Sequence, residues 1–156
     1  VFPLAALIAR EGLDVAGNRA LGHYTHEKSP VACAAALATI RFIEENRLAE
    51  HAGELGRHAL DRMADMMERH PLIGDVRGLG LFLGIELVRN RETGERAVDE
   101  AEEVMYRALS RGLSFKLTMG NILTLTPALT ITREELDRAL TIIDDCLKEV
   151  EKGLKR

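Results

Sequence analysis

LIGDVRGLGLFLGIELV (residues 72–88) combines β-branched and large apolar residues with four glycines. Such a composition favours strands over a helix. We interpret it as two short strands with a bend at Gly78-Leu79-Gly80. A dinucleotide-binding fingerprint would need a different glycine spacing and a helix after Gly80, whereas here the strand pattern continues. The stretch therefore predicts a small sheet and no dinucleotide site.

Amphipathic helices flank this stretch on both sides. Before it, apolar residues recur at spacings of three and four from residue 48 onward, while charged residues take the other faces. We expect this helix to end near His70, ahead of Pro71. After the stretch, a polar turn centred on Thr93-Gly94 leads into a helix over about residues 97–111, which Gly112 ends.

A further β region and a last helix complete this part of the chain. Residues 113–117 and 122–125 are strand-like, and Met119-Gly120-Asn121 between them is typical of a hairpin turn. Thr132 and Glu135 then form a capping-box pattern ahead of a final helix. One face of that helix carries Leu136, Leu140, Ile143, Leu147 and Val150. The order of elements predicts an α/β fold class, with an α+β domain over residues 47–156 whose sheet has helices on one face.

Residues 1–46 follow a different pattern. The run from Val1 to Ala9 is strand-like, residues 10–28 read as a loop, and Ser29-Pro30 is a helix start with serine as N-cap. The helix that follows is apolar on all sides from Val31 to Ile40, so we expect it to be buried all round. These elements have no partners of their own. We therefore expect them to be pieces of a larger domain whose N-terminal portion is missing.

Composition excludes several classes of function. The chain has 21 Lys and Arg against 25 Asp and Glu, a net charge of −4, and no basic stripe, so we expect no nucleic-acid partner. No apolar run reaches the roughly 18 residues needed to span a bilayer, so we expect no membrane association. The chain also opens without a basic region followed by an apolar stretch and a small-residue cleavage site, so we expect no export signal.

Cysteines and histidines carry no metal-binding pattern. Cys33 and Cys146 lie far apart among apolar residues, and we predict that both are buried free thiols, which suits a cytoplasmic protein. The five histidines show no ligand spacing, so we predict no metal site. His23 and His26 lie in the loop before Ser29, where a site residue is plausible, although a solvent-facing role is the simpler interpretation.

Four segments, in the right order, resemble the class III aminotransferases. They are FPLAA (residues 2–6), GHYTHEKSPVACAAALA (22–38), GDVRGLGL with the following GIE (74–86), and TPALTIT (126–132). The resemblance implies the C-terminal part of a pyridoxal-phosphate (PLP) dependent transferase of fold type I. Residues 1–46 would then be the tail end of the large PLP-binding domain and the start of the interdomain helix, and residues 47–156 the C-terminal small domain.

The resemblance also assigns roles. Thr25 matches the loop threonine that contacts the phosphate of the PLP held by the neighbouring subunit, which implies a homodimer or higher oligomer. The Schiff-base lysine would lie upstream of Val1, so we expect no catalytic residue here and no activity from this fragment alone. Lys28 and Lys116 lack the context of a PLP lysine and are interpreted as surface or pocket-rim residues.

One position, Thr124, bears on how the substrate is bound. In relatives that bind the substrate carboxylate from this region, an arginine lies where this chain has Thr124. The substrate carboxylate is then bound elsewhere, or the substrate has none there, or Thr124 points away from the pocket. Transamination between an amine or amino acid and a keto acid is the leading hypothesis. A racemase or epimerase of the same fold is the second, and a non-catalytic binding module is the alternative of another class.

Overall fold

The computed structural model describes residues 5–6, 8–13, 15, 17–19 and 29–154. It divides the chain into two compact units, Val1–Arg47 and Leu48–Arg156. The assignment of residues 1–46 to a large PLP-binding domain and of 47–156 to a small domain stays a prediction. Thr25, His23, His26 and Lys28 lie outside the described residues.

The described residues of the first unit include one helix of regular length. A 3₁₀ turn spans Glu11–Leu13, and helix α1 spans Pro30–Glu45. Ser29 is the N-cap residue, as predicted, although its side chain makes no capping hydrogen bond. The strand predicted for residues 1–9 is not found in its described part, where residues 5, 6, 8 and 9 are in neither helix nor strand. A strand needs a neighbouring strand to pair its backbone N–H and C=O groups, and a strand-like sequence alone does not provide one.

Helix α1 is not buried on every side in this chain. Large apolar side chains remain exposed along it, namely Val31, Leu37, Ile40 and Phe42. Cys33 is exposed as well, so the prediction that both cysteines are buried is wrong for Cys33 and confirmed for Cys146. The prediction assumed cover around the whole helix, and the described residues leave much of its surface open.

The second unit is built on an antiparallel sheet of five strands. The strands are β1 (Ile73–Leu79), β2 (Phe82–Asn90), β3 (Glu95–Arg96), β4 (Lys116–Thr118) and β5 (Ile122–Leu125). Their order is β1-β2-β5-β4, and β3 pairs with the end of β2. The bend predicted at residues 78–80 is a hairpin between β1 and β2, in which Gly80 has a φ of 55°. Glycine suits this left-handed conformation because it has no Cβ.

Three helices cover one face of the sheet, as predicted for this α+β unit. Helix α2 spans Leu48–Arg69, α3 spans Val98–Ser110 and α4 spans Arg133–Leu154. Helices α2 and α3 contact the strands, and α4 packs on α2 and α3. The capping box is confirmed: the Thr132 N–H donates to Glu135 Oε2 at 2.9 Å, and the Glu135 N–H donates to Thr132 Oγ1 at 3.2 Å. Of the described helices, none is both long and apolar enough to cross a membrane.

Helix α2 approaches the β1–β2 turn too closely for any side chain to fit between them. A Cβ atom added at Gly56 would lie 2.2 Å from the carbonyl oxygen of Gly80. Glycine at position 56 is therefore required by close packing, although it weakens a helix interior. This contact fixes the position of the hairpin turn on the helix layer.

A buried polar cluster joins the end of α2 to α4. His70 is 1% exposed, its Nε2 lies 2.8 Å from Asp144 Oδ1, and its Nδ1 lies 2.8 Å from Glu151 Oε2. Both ring nitrogens of His70 therefore lie within hydrogen-bond distance of a carboxylate oxygen of α4. Burial raises the pKa of Asp144, but hydrogen bonds from Lys148 and His70 and the charge of Arg69 outweigh it and lower that pKa to about 2. The sequence pattern gave no sign of this cluster.

Candidate functional site

The face of the sheet opposite the helices forms an open groove with a volume of about 410 Å³. Strand alternation places every second residue on this face, while Ile85, Leu87 and Leu123 at intervening positions point into the core. The groove is lined by Arg77, Gly78, Leu79, Phe82, Leu83, Gly84, Thr118, Ile122 and Thr124. We call it the open groove.

Gly84 forms the floor of the open groove. It pairs with Arg77 on β1 and with Thr124 on β5, so it lies in the middle of a row that crosses the sheet. A Cβ atom here would meet Ile122 Cγ2 at 3.4 Å, an ordinary contact, and the backbone carbonyl of Arg77 at 4.0 Å. A small side chain at this position would therefore fill part of the groove without displacing a strand.

Thr124, the predicted substrate-pocket residue, lines the open groove. Its hydroxyl lies 2.7 Å from the hydroxyl of Thr118 on the adjacent strand. One hydroxyl of the pair donates to the other, so one hydroxyl proton remains for another acceptor. The role of Thr124 in substrate binding stays a prediction, since the geometry shows where its side chain lies and not what it binds.

Arg77 lies at the β1 end of the groove and is bound by two carboxylates. Its guanidinium pairs with Asp75 and, at 2.8 Å, with Glu86. Hydrogen bonds to Asp75 and Glu86 raise the pKa of Arg77 above its ordinary value. The three side chains together carry a net charge of −1. Sequence reasoning missed this group, although the alternation in DVR and IEL, once paired as a hairpin, would place all three on one face.

Lys116 lies at the opposite edge of the same face. It is the direct cross-strand partner of Thr124, and Thr118 is two residues further along β4. Direct partners in an antiparallel pair share a face, so Lys116 projects on the groove side. It is exposed, and no ion pair of Lys116 is found among the described residues. The interpretation of Lys116 as a surface or rim residue agrees with this position.

The described residues contain no group of three or more His, Cys, Asp or Glu side chains that could hold a metal ion. Thr25 lies outside the described residues, so of the two predicted site residues only Thr124 can be placed. The two were predicted for different roles, and the role of each stays a prediction.

A sequence model of the family "Aminotransferase class-III" matches residues 2–147. The chain belongs to the class III aminotransferase family. This confirms the resemblance inferred from the four segments, and it explains why the sheet and helices follow the predicted order.

Members of this family with different activities resemble the chain. It is 45% identical to an (R)-1-hydroxy-2-aminoethylphosphonate ammonia-lyase of Vibrio splendidus and covers 31% of that protein with 96% of its own length. It is 44% identical to a leucine/methionine racemase of Thermococcus litoralis, of which 97% of the chain covers 34%. It is 35% identical to the 4-aminobutyrate aminotransferase of Escherichia coli, of which 95% of the chain covers 35%. The chain thus spans about a third of the length of these relatives.

Solved transaminases share the fold. An amine transaminase from an uncultivated Pseudomonas species, in a PLP-bound form, superposes with a TM-score of 0.78 at 28% identity, over 83% of this chain and 30% of that one. The fold-class prediction is confirmed, and PLP is the cofactor of this class III aminotransferase family.

The open groove by itself does not fit the phosphate of PLP. Its arginine is held by two carboxylates, whose combined charge would repel a phosphate. The lining residues also include no helix N-terminus, which would supply backbone N–H donors to a phosphate. The contact between Thr25 and the phosphate of PLP stays a prediction.

Proposed function

We propose that this class III chain acts within a longer PLP-dependent aminotransferase that exchanges an amino group between an amine or amino acid and a keto acid. The match of the family over residues 2–147 carries this proposal. PLP, when bound, supplies the chemistry at the amino-bearing carbon. We further propose that the longer protein is a cytoplasmic homodimer. In this proposal the present chain is inactive on its own, because the PLP lysine lies upstream of Val1.

In this proposal the chain has two tasks. The hydroxyl of Thr25 donates a hydrogen bond to the phosphate of the PLP held by the neighbouring subunit. The open groove receives part of the substrate, with the Thr118–Thr124 hydroxyl pair and the bare floor at Gly84 facing it. A groove that is largely apolar with a few convergent polar groups is the usual form of a small-molecule site, which supports this placement.

Racemisation or epimerisation of an amino acid is the second candidate function. The observation that favours it is the degree of identity: the racemase named above is 44% identical to the chain, whereas the 4-aminobutyrate aminotransferase is 35% identical. Thr124 in place of an arginine is compatible with either activity, because the carboxylate has other possible partners. A racemase needs no keto acid, and this difference separates the two candidates.

The test uses the full-length, PLP-loaded enzyme and a single enantiomer of an amino acid. An aminotransferase without a keto acid completes at most one half-reaction per active site, and adding the keto acid restores turnover. Many turnovers to the opposite enantiomer without any keto acid would show that racemisation, and not transamination, is the main activity. A different measurement tests the non-catalytic module. The intact mass of the protein is compared with the mass that its gene encodes. The module requires a gene that encodes only these 156 residues and has its own start codon.

A further inference from the structure

We propose that Lys116 and the Thr118–Thr124 hydroxyl pair form a subsite for a carboxylate group of the substrate. The inference rests on the proposed function in placing the substrate over the open groove. It goes further by naming the residues that bind the anion and the chemical class of the group bound, at an edge of the sheet where no arginine is present.

The strand register brings the donors together. Lys116 pairs with Thr124 across β4 and β5, and Thr118 follows Lys116 by two residues on the same face. Directly paired side chains have Cβ atoms about 5 Å apart, so the flexible lysine stem reaches the hydroxyl pair. The ammonium and one hydroxyl proton can therefore point toward the same small volume above Thr124.

The charges on this face differ from one edge to the other. Arg77 at the β1 edge is bound by Asp75 and Glu86, and these three side chains carry a net charge of −1. Lys116 at the β4 edge has no ion pair among the described residues. Neighbouring strands lie about 4.8 Å apart, so three strand spacings separate the two edges by about 14 Å. An anion in the groove is thus repelled from the β1 edge and attracted to the β4 edge.

The number of donors matches one carboxylate. The ammonium offers up to three N–H donors, and the hydroxyl pair retains one O–H donor after its internal hydrogen bond. One carboxylate oxygen can accept from Lys116 and the other from the free hydroxyl. Gly84, the direct partner of Thr124 on β2, leaves the surface beside Thr124 without a side chain.

The first arm of the test measures catalysis by the full-length PLP-loaded enzyme. Lys116→Met should raise KM for an amino acid about tenfold, the loss expected for one charge-assisted hydrogen bond, and leave KM for the matching amine without a carboxylate unchanged. Lys116→Arg should recover most of the loss. Lys152→Met removes an exposed lysine on α4 and is the matched control. An equal rise in KM for amino acid and amine would overturn the subsite.

The second arm does not depend on turnover. Sodium acetate is titrated into the same proteins while the methyl NMR signals of Thr118 and Thr124 are followed. We expect saturable shifts in the wild type and in Lys116→Arg, and none in Lys116→Met. The same shifts in Lys116→Met, or none in the wild type, would overturn the subsite. Absence of turnover with every amine and amino acid would instead refute the proposed function, while the acetate titration still decides the subsite.

Discussion

Replacing Gly56 with alanine should destabilise the protein, against the usual rule for helices. In an open helix interior the change from glycine to alanine stabilises by about 1 kcal/mol. At Gly56 the new methyl group would lie 2.2, 2.6 and 2.8 Å from the O, C and Cα atoms of Gly80. Ordinary contacts between such atoms are about 3.5 Å, so the hairpin turn or the helix must move by about 1 Å.

The expected magnitude follows from two opposing contributions. Forcing a methyl group into a closely packed site costs about 1–3 kcal/mol, and a clash with backbone atoms is near the upper end because no side chain can rotate away. Subtracting the propensity gain of about 1 kcal/mol leaves a net loss of about 2 kcal/mol in the free energy of unfolding. For a unit of this size that loss lowers Tm by roughly 5–10 °C.

Gly53 on the same helix is the matched control. A Cβ atom there would meet only the Arg57 guanidinium, at 3.8 Å. Gly53→Ala should therefore raise the free energy of unfolding by about 0.5–1 kcal/mol. Both variants are measured by urea and thermal unfolding of the same protein. A Gly56→Ala variant as stable as Gly53→Ala would refute the close contact between α2 and the hairpin turn.

Three further predictions concern pH, cofactor binding and assembly. The lowered pKa of Asp144 stabilises the fold by about 2 kcal/mol above about pH 4, and this contribution is lost as the pH falls toward about 2. In urea unfolding at each pH, Asp144→Asn should remove this contribution at neutral pH, whereas Asp145→Asn should have little effect. Thr25→Ala in the full-length protein should weaken PLP binding by roughly 1.5–3 kcal/mol in equilibrium dialysis, and unchanged affinity would contradict its assignment. Light scattering should show a dimer or larger assembly of the PLP-loaded protein, and a stable monomer would contradict a site shared between subunits.

The helices and turns of the second unit could be predicted because their signals are local. Apolar spacing placed α2 and α3 within a residue or two of their observed ends, and Thr132 with Glu135 marked the start of α4. The hairpin turn at Met119-Gly120-Asn121 was also predicted, and these three residues form the loop between β4 and β5, in which Met119 and Gly120 have positive φ angles. Each of these features depends on residues close in sequence.

The open groove could not be predicted because it depends on pairing between distant residues. Lys116, Gly84 and Arg77 share one row only because β2 pairs with both β1 and β5, and periodicity does not determine strand order. The buried position of His70 likewise depends on α4, which lies more than 60 residues further along the chain. The prediction for Cys33 was wrong because apolar neighbours in sequence do not ensure cover in space.

If the proposed function is correct, conversion of amino acids by this protein depends on PLP. The full-length protein is stripped of cofactor, incubated with an amino acid and a keto acid, and assayed before and after PLP is restored. We predict no conversion without PLP and recovery of transamination, or of racemisation as the second candidate, when PLP is added. Conversion at full rate without PLP, or no conversion of any amine or amino acid with PLP bound, would contradict the proposed function.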